Sequence, residues 1–256
     1  MRALDLTFSE KGEADRPTLI IAHGLFGSGR NWGAVAKKLC ATRHVVSVDM
    51  RNHAGSPWSE DHSYHAMAED LAQIASRFSM PVEVLGHSMG GKAALVLAAQ
   101  RPELVSHLIV ADIAPVAYSH TQVHLIEAME QLDLSQVSRR SDADEMLKPL
   151  VEDAPVRAFL LQSLEISETG ARWRLNLQAL RQNMPLILGF PDKCPSVKGQ
   201  VSVLYGGLSD YVDETGKQAY ARLCPQASFH PVERAGHWLH AENPAEFNRV
   251  LHSVLE

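Results

Sequence analysis

The stretch from Val82 to Ala99 constrains this chain more than any other. A short apolar run, Val82 to Leu85, passes directly into Gly86-His87-Ser88-Met89-Gly90, and from there into an Ala- and Leu-rich stretch of helical character, Lys92 to Ala99. Another apolar run, Leu108 to Ala111, follows. Strand, tight turn, helix and strand in that order make a crossover unit, and such units build parallel sheets. Glycines at 86 and 90 let the turn close, because side chains there would collide with neighbouring backbone. Ser88 stands at its apex. A serine hydroxyl is a poor nucleophile unless a tight turn presents it clear of its neighbours, above a helix N-terminus that favours developing negative charge. A plain glycine-rich junction is the simpler reading, and Gly90-Gly91-Lys92 brings phosphate loops to mind, but the full P-loop spacing is absent.

The alternation extends along the chain. Thr18 to Ala22 and Val45 to Val48 read as strands around a helical stretch from Asn31 to Ala41, and Tyr64 to Phe78 reads as an amphipathic helix. After Pro115 the rhythm changes: Tyr118 to Phe190 is helical in character, with no convincing strand before Val201 to Tyr205. Helix and strand then resume with Glu214 to Arg222, Ala227 to Val232 and Ala245 to Leu255. The pattern predicts a single α/β unit, in which residues 1–115 and 201–256 form the core and residues 116–200 form an inserted helical cap. The 256 residues suit one such domain, and no repeats or low-complexity linkers interrupt it.

Composition removes several function classes. A net charge of -6 without any run of Lys and Arg offers nothing to a phosphate backbone, so no nucleic-acid partner is expected. No apolar stretch is long enough to cross a membrane, and Met1 to Lys11 mixes charges where a secretory signal needs an apolar run. Cys40, Cys194 and Cys224 are an odd number at wide spacing, which predicts free thiols and a cytoplasmic setting. His62, His65 and Asp70 come nearest to metal-ligand spacing, and a solvated helix face explains them more simply.

A nucleophilic serine needs a base, and the chain order serine, acid, histidine places that base near the C-terminus. Gly236-His237-Trp238 lies between the last expected strand and the last helix, which makes His237 the candidate, with His240 its local competitor. Two carboxylates compete to hold the imidazole: Asp112, at the end of the strand before the cap, and Asp210, beyond the strand after it. His23-Gly24-Leu25-Phe26-Gly27 has the form of a segment that supplies one backbone N–H to an oxyanion hole; Leu25 and Met89 are the expected donors. Asp49-Met50-Arg51-Asn52-His53, after the next strand, is expected to brace that segment by hydrogen bonds.

Together these residues resemble the α/β-hydrolase superfamily, and more narrowly the YbfF-type bacterial acyl esterases and their mitochondrial abhydrolase relatives. The narrower likeness rests on His23 to Ser28, Asp49 to His53, the string GHSMGGK from Gly86 to Lys92, Asp112-Ile113-Ala114-Pro115, and Gly236-His237-Trp238 with His240-Ala241-Glu242. It implies a cofactor-free serine carboxylesterase or thioesterase acting on short to medium acyl chains; no metal is expected, and the chain is expected as a monomer or homodimer. It also implies that the acid is Asp112. Ala54 and Asp210 depart from the family pattern, which has glycine at the first position and often a non-acidic residue at the second. The candidate substrate contacts are Phe26, Phe159, Leu160, Trp173 and Trp238, with Leu164 and Leu177 as further cap candidates, although helical spacing fits plain cap packing at least as well. A hydrolase of the same fold acting on a carboxylated substrate, by C–C hydrolysis or a lyase step, would need cationic groups such as Arg157, Arg172, Arg174 or Arg181. A non-enzymatic binding protein is the third reading.

Overall fold

A computed structural model describes residues 3–256. Its strands bury both faces, because apolar side chains point alternately to each side of the pleat. In β2 (Thr18–Ala22), Leu19 and Ile21 join one apolar cluster and Ile20 and Ala22 the other. Seven strands run in the order β1 (Phe8–Lys11), β3 (His44–Val48), β2, β4 (Val82–His87), β5 (Val105–Ala111), β8 (Gln200–Gly206) and β9 (Ser228–Val232), with β1 antiparallel to β3 and all other pairings parallel. Helices α1 (Gly33–Leu39) and α11 (Pro244–Leu255) supply residues to one cluster. Helices α2 (Tyr64–Ala75) and α3 (Met89–Gln100) supply the other. Helix α9 (Glu214–Leu223) lies between β8 and β9 in the chain, and α10 (Leu239–Glu242) follows β9. Ala22 pairs with Gly86, His87 with Ala111, and Ala111 with Leu204, so β2, β4, β5 and β8 end level with one another. The loops that follow them therefore meet at one edge, where ligands bind in open parallel sheets.

Between β5 and β8 the chain leaves the sheet for α4 (Val123–Glu130), α5 (Arg140–Leu147), α6 (Ala154–Leu160), β6 (Leu164–Ser167), β7 (Gly170–Trp173), α7 (Leu177–Gln182) and α8 (Met184–Leu188). The hairpin of β6 and β7 corrects the expectation that no strand lies here. Each arm is four residues long, too short to show a period of two against the surrounding helical pattern, and Gly170 takes φ 120° at the turn. β1 also gave no sequence signal: it is a polar edge strand, and edges of that kind are commonly charged. No described helix is long and apolar enough to cross a membrane.

The loop after β3 is held from inside. Arg51, buried, donates through Nε and Nη2 to the Asp70 carboxylate on α2 at 2.6 and 2.8 Å, and to the carbonyls of Asp61 and Ala66. His23 donates from Nδ1 to the Gly24 carbonyl at 2.8 Å and accepts the Met50 N–H at Nε2 at 2.9 Å. His53 donates from Nδ1 to the Arg51 carbonyl at 2.8 Å and accepts the Phe26 N–H at Nε2 at 3.2 Å. Each imidazole is satisfied in its neutral form, and burial pushes the pKa of His23 down to about 4 and that of His53 to about 3.

Two stability predictions follow from this network. Arg51→Met strands the buried Asp70 carboxylate and should cost about 3–5 kcal/mol in urea unfolding. The unfolded chain protonates His23 and His53 near pH 6.5 while the folded chain resists until about 4 and 3. The stability they provide is thus full above pH 6.5 and is lost as pH falls toward those values. A thermal-melting series from pH 7 to 4 should fall accordingly, with His23 alone contributing on the order of 3 kcal/mol, and His23→Gln should flatten the slope.

Candidate active site

Ser88 occupies the turn between β4 and α3 with φ 52° and ψ −119°, a conformation that L-residues avoid unless their surroundings impose it. The surroundings here are backbone. A Cβ at Gly86 would lie 2.4 Å from the Gly90 carbonyl oxygen, and a Cβ at Gly90 2.4 Å from that of Ala22. Only glycine lets β4, the turn and α3 close against β2, and the closed turn lifts the Ser88 hydroxyl above the first, unpaired amides of α3.

His237 arrives on the loop after β9. Its Nε2 lies 3.1 Å from Ser88 Oγ and accepts from that hydroxyl, while Nδ1 donates to Asp112 Oδ2 at 2.8 Å. Asp112 is fully buried, takes φ 48° just past β5, and also accepts from the Gly206 N–H at 2.9 Å and the Ser209 hydroxyl at 2.5 Å. The structure therefore brings Ser88, His237 and Asp112 into one hydrogen-bond chain. Asp210 is exposed and makes no hydrogen bond to His237. His240 is stacked on Trp32 at 4.2 Å, and the partner of the serine hydroxyl is His237. Sequence reading did not single out three neighbours of the chain. Tyr211 stacks on the His237 ring at 4.0 Å and 19°, His87 Nε2 donates to the His237 carbonyl at 2.9 Å, and Ser209 bridges to Asp112. Only their closeness in sequence to Ser88 and Asp210 signalled them.

Leu25 and Met89 both border the cavity above Ser88, and among the described residues no acceptor meets either N–H. The Gly24 carbonyl accepts from Gly27 N–H and His23, so the Gly24–Leu25 peptide is pinned at its oxygen and its N–H is left for a ligand. Asp49 Oδ1 accepts the Gly29 N–H at 2.8 Å and Oδ2 the Gly55 N–H at 3.0 Å, tying the same loop to the end of β3. Ala54, where the family pattern has glycine, adopts φ 47°. The left-handed strain that glycine would avoid is carried there by alanine.

The cavity measures about 370 Å³ and is largely apolar, with Phe26, Tyr64, Leu125, Phe159 and Trp238 among its walls. Leu160 and Trp173 lie elsewhere, which corrects their expected place in the pocket, as do Leu164 and Leu177. Leu160 is fully buried among the inserted helices, and Trp173 donates its indole N–H to the Met129 carbonyl. Helical spacing identified a buried face without telling a cavity wall from a packing contact. Arg157, Arg172 and Arg181 pair with Asp144, Glu165 and the Glu127–Glu130 pair, and none of these arginines, nor Arg174, reaches the cavity. Lys92, on α3, does line it. Its ammonium is used up on the carbonyls of Val116, Leu188 and Gly189, at 2.8, 2.9 and 2.6 Å, and burial pushes its pKa down to about 7. Among the described residues no set of His, Cys, Asp or Glu is arranged to hold a metal ion.

The chain is similar in sequence and fold to known proteins. The model of the alpha/beta hydrolase family matches residues 19–250. The chain is 39% identical over 269 residues to the sn-1-specific diacylglycerol lipase of Mus musculus, covering 100% of this chain and 86% of that one. It is 34% identical over 240 residues to esterase YbfF of Escherichia coli (strain K12), covering 93% and 92%. A solved marine microorganism esterase superposes with a TM-score of 0.93 at 36% identity, over 98% of this chain and 99% of that one. On the family match and on these relatives, the chain belongs to the alpha/beta hydrolase family.

Proposed function

We propose that this chain is a carboxylic ester hydrolase that cleaves short- to medium-chain acyl esters or thioesters through an acyl-enzyme on Ser88. The observation that carries this reading is the hydrogen-bond chain Ser88–His237–Asp112 at the floor of an apolar cavity. His237 Nε2 takes the hydroxyl proton as Ser88 Oγ bonds to the acyl carbon, and Asp112 stabilises the imidazolium and holds its tautomer. The carbonyl oxygen, now an anion, accepts from the amides of Leu25 and Met89, each worth about 10²–10³ in rate. On collapse, the bond to the leaving oxygen or sulfur breaks and that atom takes the proton from His237. Water then attacks the acyl-enzyme with His237 again as base, releasing the carboxylic acid and restoring Ser88.

The segment between β5 and β8 acts in this reading as a cap, with Phe159 from the cap and Phe26 and Trp238 from the core gripping the acyl chain. The names of the relatives, esterase and lipase, agree with an ester substrate. Among the described residues no arginine lines the cavity, and Lys92 is committed to three carbonyls, which leaves a carboxylated substrate without the clamp it would need. The three free cysteines support a reducing, cytoplasmic setting.

The test is a series of p-nitrophenyl esters and acyl thioesters from two to about twelve carbons, offered to the wild type and three variants. Ser88→Ala should lose at least about a thousandfold in kcat, Asp112→Asn about 10³–10⁴-fold, and Asp210→Asn should stay near wild type. A wild type that turns over no ester, or a folded Ser88→Ala with full activity, removes the reading.

A further inference from the structure

The loop that carries the Leu25 amide is gripped from two directions at the residue that follows it. Phe26 adopts φ 63°, a left-handed conformation that a bulky residue keeps only where its surroundings fix it. Its N–H donates to His53 of the core, as described above. Its carbonyl accepts from the hydroxyl of Ser163 at 2.8 Å, and Ser163 belongs to the inserted segment, in the short turn between α6 and β6. Ser163 is itself buried and anchored, its carbonyl accepting the Arg174 N–H at 2.8 Å. Next to it, Gln162 Oε1 accepts from Asn31 Nδ2 at 2.5 Å, and Asn31 Oδ1 in turn takes the Ser28 N–H at 2.7 Å. Residues 162 and 163 of the insertion thus hold both ends of the stretch from Phe26 to Asn31.

We propose that Ser163 is a positioning residue: its hydroxyl, by holding the Phe26 carbonyl, keeps the Leu25 N–H aimed at the oxyanion, so that the oxyanion hole is complete only with the inserted segment seated. This rests on the esterase reading given above. The Ser163 hydroxyl touches no substrate; its effect passes through the Phe26–Gly27 peptide, whose N–H donates to the Gly24 carbonyl at 3.1 Å, to the Gly24–Leu25 peptide that carries the oxyanion donor. The orientation of the Leu25 N–H matters when charge develops on the carbonyl oxygen and little before, so the loss should fall on kcat while KM holds.

The experiment compares wild type, Ser163→Ala and Ser163→Thr with p-nitrophenyl butyrate. It adds inhibition by a trifluoromethyl ketone, which Ser88 converts to a tetrahedral adduct, and by the matching methyl ketone, which serves as a ground-state mimic. Ser163→Ala should lower kcat about fivefold, the rate equivalent of one hydrogen bond, with KM within about twofold. The trifluoromethyl ketone should weaken in parallel with kcat/KM, the methyl ketone should not, and Ser163→Thr, which keeps the hydroxyl, should recover most of the loss. If Ser163→Ala fails to fold, Ser163→Cys, close in volume and a weaker donor, should show the same pattern. Unchanged kcat and trifluoromethyl ketone inhibition, or a rise in KM and in the methyl ketone constant with kcat intact, overturns the role of Ser163 while the esterase reading stands. Failure of the wild type to turn over any ester overturns both.

Discussion

Main chain meets main chain at two points, and the site exists because it does. A methyl group on residue 90 would reach the Ala22 carbonyl oxygen, and one on residue 206 would lie 2.4 Å from the carbonyl oxygen of Gly236. The first contact sets the height of Ser88 above the sheet; the second brings the loop with His237 down onto the end of β8. Asp112 stands between them, its amide bonded to the Leu204 carbonyl and its carboxylate to the Gly206 amide. Side chains make the hydrogen-bond chain, but its spacing is dictated by backbones that touch, which bend far less than rotamers do.

The electrical setting follows from burial. His23, His53 and His240 are held at about 4 or below, and His62 and His87 well under the usual range, in each case chiefly because their rings are out of water. Five imidazoles around the serine therefore carry no charge at neutral pH. In the proposed mechanism an oxyanion formed there would meet the amides of Leu25 and Met89 and the His237 imidazolium, which would limit the reorganisation needed when charge appears.

Much of this was legible from the sequence, and the reason is physical. Strands buried on both faces give unbroken apolar runs, and glycines mark their ends, so Ser88, the Leu25 loop and His237 announced themselves through what precedes them. Asp112 and Asp210 were indistinguishable by position, since each follows a strand of the same sheet; the family resemblance favoured Asp112, and in the structure register and burial separate the two. The β6–β7 hairpin and the edge strand β1 escaped because four residues at a polar edge leave no periodic trace. Leu160 and Trp173 misled because an apolar stripe reports burial and is silent on what it is buried against. Tyr211, His87, Lys92 and Ser163 contribute through partners about 90 or more residues away in several cases, such as the 137 between Ser163 and Phe26, and no local pattern encodes those.

Lys92 ties together residues that the chain separates widely, taking Val116 on one side and Leu188 and Gly189 on the other. The excursion between β5 and β8 is thus tied near both of its ends, at Val116 and at Leu188 and Gly189, to a single ammonium group. Its ends are fixed by the core and not by its own length, and closing a longer or shorter loop between fixed ends changes the entropy only slowly. The excursion is therefore exchangeable in length and shape but not in its grip: a replacement polypeptide set into this frame would have to keep the two points of attachment and the hydroxyl that Ser163 offers Phe26.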